Sequence, residues 1–238
     1  GAAPIFYNTL FYNNGNVLDF GPNPSAENYN TQLNNCTFVN NYGLGISENQ
    51  SNPIIISNSI INDHEDSTII GNYDIFYSNV EGYNDGIGNI DVSPMFVDTA
   101  NGNYHLLASS QLINAGHPDS LDSDGTVADI GAYPYLTDNT EPVWYINTAG
   151  NDTTGTGTSV NPFASIQAGI NFSSNTDSVT VAAGTYVENI NFRGRNIKVV
   201  GADRETTIID GNQVQSCVYF SGGANNPLLK NFTLQNGN

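Results

Sequence analysis

The stretch Pro53-Ile54-Ile55-Ile56-Ser57-Asn58-Ser59-Ile60-Ile61-Asn62 decides how this chain is read. Two short β-type apolar runs flank a polar corner, and an Asn closes the unit. Pro4-Ile5-Phe6-Tyr7-Asn8-Thr9-Leu10-Phe11-Tyr12-Asn13 lies over it without gaps, as does Pro227-Leu228-Leu229-Lys230-Asn231-Phe232-Thr233-Leu234-Gln235-Asn236. Thr31 to Asn40 keeps the pattern without its proline, and Asp74 to Val80 is a weaker copy. In this alignment Asn8, Asn35, Ser57 and Ser78 correspond, at steps of 27, 22 and 21 residues. A unit of just over 20 residues with short strands and Asn turns describes one coil of a parallel β-helix, which buries its inward side chains only by stacking on the next. The Leu-x-x-Leu-x-Leu frame of leucine-rich repeats is absent. An antiparallel sandwich reads much the same locally; the tandem register favours the solenoid.

Composition agrees. Among 238 residues, 37 are Asn, a residue of turns and stacked ladders rather than of helix interiors. With 38% hydrophobic residues, 13 Tyr and 11 Phe, the chain has a globular payload despite a net charge of −18. Residues 1–192 hold 20 acids and no Lys or Arg, whereas 193–238 hold 5 cations against 3 acids. So acidic a surface disfavours nucleic acid and direct membrane binding. No apolar run approaches a membrane span, and Gly1-Ala2-Ala3 lacks the pattern of a signal peptide, so the chain is expected to be soluble as it stands. Two distant cysteines, Cys36 and Cys217, read as small buried hydrophobes rather than a disulfide framework.

Punctuation divides the chain. Residues 114–142 are rich in Asp, Gly and Pro, and Thr137 to Pro142 reads as a linker. Beyond it, Asn161-Pro162 suits the start of a helix near 162–171, with Phe163, Ile166 and Ile170 on one face. β-type runs then resume at 179–181, 190–192, 197–200, 207–209, 218–220 and 228–232.

The segment from Val179 to Ile190, with Ile197-Lys198-Val199-Val200-Gly201 and Thr207-Ile208-Ile209-Asp210-Gly211, resembles the opening coils of secreted right-handed parallel β-helix proteins of the pectin-lyase-like superfamily. The first half resembles their closing coils: Ser93 to Asp98, Asn103 to Leu106, Ile113 to Gly116, Asp122 to Gly125 and Asp129 to Tyr133. The resemblance implies an all-β, right-handed solenoid with one short capping helix, on an extracellular or cell-surface protein. Residues 1–135 would be a closing half, 136–143 a linker and 144–238 an opening half. Closing before opening leaves mid-repeat coils at both extremes. The expected assembly edges are Pro4, Ile5, Phe6 and Asn8 at one end, and Pro227, Leu228, Asn231, Leu234 and Asn236 at the other. Two readings follow: a window of a longer repetitive polypeptide, or copies that stack head to tail into a filament through a non-closing contact, weakened by salt.

Candidate chemistry is sparse. His117 to Asp129 contains Asp-x-Asp-Gly, as at the start of a calcium loop, so Asp119, Asp122, Asp124 and Asp129 form a candidate structural Ca²⁺ site. The twelfth-position Glu of an EF-hand is missing. A calcium–Arg centre of the pectate-lyase type has no Arg before position 193, and pectin-methylesterase catalytic segments are absent. Asp63, Glu65 and Asp66 around His64 form an acidic cluster that reads as a solvated turn. Zinc spacing, nucleophile elbow and phosphate loop are lacking. The reading is a structural or adhesive surface protein, with polysaccharide binding or cleavage as the rival; Tyr7, Tyr12, Tyr42, Tyr73, Tyr77, Tyr83 and Tyr104 are candidates for sugar stacking or for aromatic ladders.

Overall fold

A computed structural model describes residues 4–15, 17–18, 30–42, 52–63, 72–220, 223 and 226–238. It is a parallel β-solenoid of about 9 turns with one short helix. The strands are β1 (Ile5–Tyr7), β2 (Leu10–Tyr12), β3 (Gln32–Asn34), β4 (Thr37–Val39), β5 (Ile54–Ser57), β6 (Ile60–Asn62), β7 (Tyr73–Phe76) and β8 (Asn79–Val80). Next come β9 (Phe96–Asp98), β10 (Asn103–Leu106) and β11 (Val143–Ile146), then helix α1 (Ile166–Phe172). The remainder are β12 (Ser178–Val181), β13 (Gly184–Val187), β14 (Ile190–Asn191), β15 (Lys198–Gly201), β16 (Thr207–Asp210), β17 (Val218–Tyr219), β18 (Leu228–Lys230) and β19 (Thr233–Gln235). No helix among the described residues is long and apolar enough to cross a membrane. The chain divides into two compact units, residues 1–94 with 112–134, and residues 95–111 with 135–238.

In the first unit, β1, β3, β5 and β7 form one parallel sheet, and β2, β4, β6 and β8 another. Each coil turns from one sheet to the other through two residues, the first of them in the left-handed region: Asn8 (φ 49°), Asn35 (51°), Asn58 (49°) and Tyr77 (48°). A second column follows the second strand: Asn13 (56°), Asn40 (52°), Asp63 (58°) and Gly82 (73°). Asn, Asp and Gly tolerate this conformation best, which accounts for Asn at five of these eight corners. The column also corrects the repeat alignment. Strand register makes Asn58 and Tyr77, not Ser57 and Ser78, the counterparts of Asn8 and Asn35. The Pro-Ile-Ile run places Ser57 at the corner, one residue early, whereas strand pairing places the left-handed Asn58 there. A one-residue slip exchanges core and solvent faces.

With that register, Phe6, Leu33, Ile56 and Ile75 form one interior column and Phe11, Phe38, Ile61 and Val80 another. Phe11 stacks on Phe38 with centroids 4.6 Å apart. The residue after each first-column corner carries a small polar group. The hydroxyls of Thr9, Ser59 and Ser78 donate to the carbonyls two residues back at 2.8–2.9 Å. Cys36 N–H donates to Ser59 Oγ, Ser59 N–H to Ser78 Oγ, and Ser78 N–H to Asn89 Oδ1. Asn89 ends this ladder by donating to the Ile75 and Asp85 carbonyls. Such bonding lets polar groups lie inside at little cost.

Residues 112–134 return over the outer face of the second sheet. Gly131 N–H donates to Asn58 O, Ala132 N–H to Thr37 Oγ1, and His117 N–H to Asn58 Oδ1. Thr37 and Ile60 are buried as a result, so this sheet has no solvent face there.

In the second unit, β11, β12, β15 and β18 form one parallel sheet, β13, β16 and β19 a second, and β14 with β17 a third. Helix α1 lies on the first coil. Gly169 permits this: a Cβ there would meet Val179 and Ile146 side-chain carbons at 2.7 and 2.8 Å. Trp144, Phe163 and Phe172 pack beneath, with Phe163 and Phe172 centroids 5.0 Å apart. The helix begins later than its sequence suggests. Ser165, not Asn161, is the N-cap, and its hydroxyl accepts from Ala168 N–H. Phe163 is instead bridged to Ile146, with Phe163 N–H donating to Tyr145 O and Asn147 N–H to Phe163 O. Covering the outer edge of β11 outweighs the local helix-start signal of Asn161-Pro162.

Candidate functional site

The end coils are the first candidate. Among the described residues, β1 pairs only with β3 and β2 only with β4, while β18 pairs only with β15 and β19 only with β16. Among the described residues each is thus paired along one edge, and the other edge of such a strand is a template for further pairing. Between β18 and β19 lies a two-residue corner whose first residue, Asn231, is left-handed (φ 65°), and Asn236 (52°) follows β19. This is the corner of the first unit. By contrast, β15 and β16 are joined by five residues, 202–206. Of the expected edge residues, Ile5, Leu228 and Leu234 are exposed (52%, 41% and 48%), and Phe6 is half-buried. Asn231 Nδ2 reaches back to Gly201 O at 3.2 Å, and Gln235 and Asn236 both donate to the Asp210 carboxylate, holding its pKa below the usual value.

The Asp-rich loop is ordered by its own backbone. Asp122 Oδ2 accepts from Asp129 N–H at 2.9 Å, Asp124 Oδ1 from Thr126 N–H and Oγ1, and Asp129 Oδ1 from Asn114 N–H at 2.7 Å. Asp119 contributes its N–H to His117 Nδ1. Burial raises the Asp122 pKa, the Asp129 N–H opposes that, and Asp124 adds to it. Among the described residues, no group of three or more His, Cys, Asp or Glu is arranged to hold a metal ion. The Asp122, Asp124 and Asp129 carboxylates serve as turn ties.

The remaining candidates scatter. Asp63 takes a left-handed corner and its N–H donates to Glu81, while His64, Glu65 and Asp66 lie outside the described residues. Cys36 and Cys217 are free thiols; Cys36 is buried in the core, which pushes its pKa up to about 11 and leaves it a poor nucleophile. Tyr7, Tyr12, Tyr42 and Tyr83 are exposed, Tyr104 is buried, and Tyr77 packs edge-on against His117. On the second unit a groove of about 240 Å³ is lined by residues that include Tyr145, Asn147, Ser159, Thr180 and Ala202.

Three ionic groups carry structural roles that sequence reading missed. Glu188 accepts from the N–H groups of Ile166 and Gln167 at 2.8 and 3.0 Å, and Asp152 from those of Ala164 and Ser165. Arg195 Nη1 donates to the carbonyls of Ile170, Asn171 and Ser173 at the other end of the helix. Negative charge at the first turn and positive charge at the last both suit the helix dipole. Burial pushes Glu188 up to about 7 and lowers Arg195. The clue in the sequence was the scarcity of charge, which makes each half-buried ionic group conspicuous; its partner was not locally legible.

No protein-family model, curated protein or solved structure matches the chain.

Proposed function

We propose that this chain is a structural β-solenoid of the extracellular, pectin-lyase-like kind, which lengthens by laying further coils on its end strands. The carrying observation is the recurrence of the strand, left-handed Asn, strand, left-handed Asn unit at Asn8 and Asn13 and again at Asn231 and Asn236. The same edges serve whether the added coil belongs to another copy or to a longer chain. Light scattering and negative-stain electron microscopy test the reading: size should grow with concentration into elongated assemblies. A strictly monomeric species at every concentration ends coil addition by another copy.

The exposed Tyr145 beside Asn147, Ser159 and Thr180 favours a second reading, non-catalytic glycan binding, because an aromatic face with hydroxyl and amide neighbours suits a sugar ring. Retention on uronic-acid polymers, lost in Tyr145→Ala, supports it. Release of unsaturated products or reducing ends would point instead to an enzyme.

A further inference from the structure

We infer that the groove on the second unit is filled by Leu121 of a second copy of this chain, with the acids around that leucine set against Lys198 and Lys230. The contact stands apart from coil addition and uses no strand edge.

The groove lies on the outer face of the sheet β11–β12–β15–β18. Alternation along the strands turns Trp144, Val179 and Val199 inward, where they are buried, and leaves two rows facing out. Register places Val143, Ser178, Lys198 and Leu228 in one row, and Tyr145, Thr180, Val200 and Lys230 in the other. Past the second row, the small side chains of Ala182 and Ala202 leave a hollow of about 240 Å³, walled by Tyr145, Pro162, Val181 and Val200. Its lining is mostly apolar and includes no charged residue. Charge stands beside it. Lys230 is the strand neighbour of Val200, about 4.8 Å across the sheet, and Lys198 lies two residues before Val200 on the same face. Both are exposed, and neither row contains an acid. Asp203, which follows Ala202, accepts Glu205 N–H within its own turn. In a chain with 23 acids and 5 cations, such a face suits an apolar group carried among carboxylates.

Leu121 meets that description. It is 65% exposed on a hairpin that its own backbone fixes: Leu121 bridges Val127, while Asp122 N–H donates to Thr126 O and Gly125 N–H to Asp122 O, both at 3.0 Å. A side chain held out by a fixed turn loses little freedom on docking. Asp119, Asp122 and Asp124 lie within three residues of it, and residues 114–134 contain no Lys or Arg. Ile87 is similarly exposed, at 63%, but has only Asp85 within three residues. Val160, at 91%, sits between Ser159 and Pro162, which line the groove itself. Knob and groove are different surfaces, so the contact is heterologous: each copy offers both, and contacts propagate unless they close.

The test is binding between variants of the 238-residue chain by surface plasmon resonance. Leu121→Ser removes the knob and keeps the groove; Ala202→Trp fills the groove and keeps the knob. Both positions are exposed, so circular-dichroism spectra should match the parent. Ser159→Trp, at another exposed lining position, replaces Ala202→Trp if that variant does not fold. The mixed pair should bind at least about tenfold more tightly than either variant binds itself, the effect of one buried leucine. Lys198→Glu with Lys230→Glu on the groove partner should remove much of that difference, most at low salt. Coil addition is common to all three pairings and cancels from the comparison. Equal affinities in the three pairings overturn the inference and leave coil addition standing. Equal affinities with retention of the Leu121→Ser chain, but not of Ala202→Trp, on uronic-acid polymers assign the groove to a glycan and overturn it too.

Discussion

The two units stabilise their coils in different ways. The first repeats one corner, with Asn, Asp, Tyr or Gly in the left-handed position, and seals its second sheet with the returning residues 112–134. The second varies its corners and seals its first coil with a helix whose ends are held by Glu188, Asp152 and Arg195. A repeated corner presents the same pairing pattern at every coil and can be extended. The Phe163 segment that pairs along β11 ahead of the helix stops extension. The second unit therefore carries both, a stop at β11 and a repeat-like coil at β18–β19.

The largest effect should come from the aromatic cores, and it tests whether the two are equally tight. Phe38 and Phe163 are both 0% exposed. Phe38→Ala and Phe163→Ala should each cost about 3–5 kcal/mol in denaturant unfolding. A loss below about 1 kcal/mol at Phe163 would mean that the helix collapses onto the cavity and that the cap is the softer of the two seals.

Next comes pH, through Glu188. Its folded pKa of about 7 lies above the ordinary 4.5. The folded state thus holds this proton more tightly than the unfolded chain. Its contribution to stability is fully present below about pH 4.5 and is lost as pH rises through about 7, by at most ~3 kcal/mol. Thermal melts across that window should show a decline that Glu188→Gln flattens; a decline unchanged in the variant would assign it to other groups.

Corner substitutions should be smaller and should separate the units most cleanly. Asn40→Val forces a β-branched residue into φ 52° and should cost about 1–2 kcal/mol, with Asn40→Gly within about 0.5. Ala183, exposed in the two-residue corner before β13, has no positive φ, so Ala183→Val should stay within about 0.5 kcal/mol. Equal losses at both sites would remove the distinction between the corners.

Ions should matter least. The Asp122, Asp124 and Asp129 oxygens already accept backbone donors, so millimolar calcium should move the melting temperature by less than about 2 °C. A larger rise would show the loop converging on the cation. Added salt should weaken assembly by coil addition only slightly, because Lys230 is the single charged side chain in residues 4–13 and 227–238.

Short apolar runs between polar corners were enough to specify stacked parallel coils, since apolar strands and Asn turns at this period cannot bury their faces alone. The buried Cys36 and the presence of one helix were legible for the same reason: each depends on neighbours close in sequence or on the repeat itself. What the tertiary structure alone decided depends on residues far apart in the chain. Register passed to Asn58 because strand pairing across 23 residues aligns left-handed corners, not similar letters. The helix start moved to Ser165 because Phe163 pairs with Ile146 and because Asp152 and Glu188, from elsewhere in the chain, satisfy the first amides. Likewise the carboxylates of Asp122, Asp124 and Asp129 accept backbone N–H groups, which a count of alternating acids does not reveal.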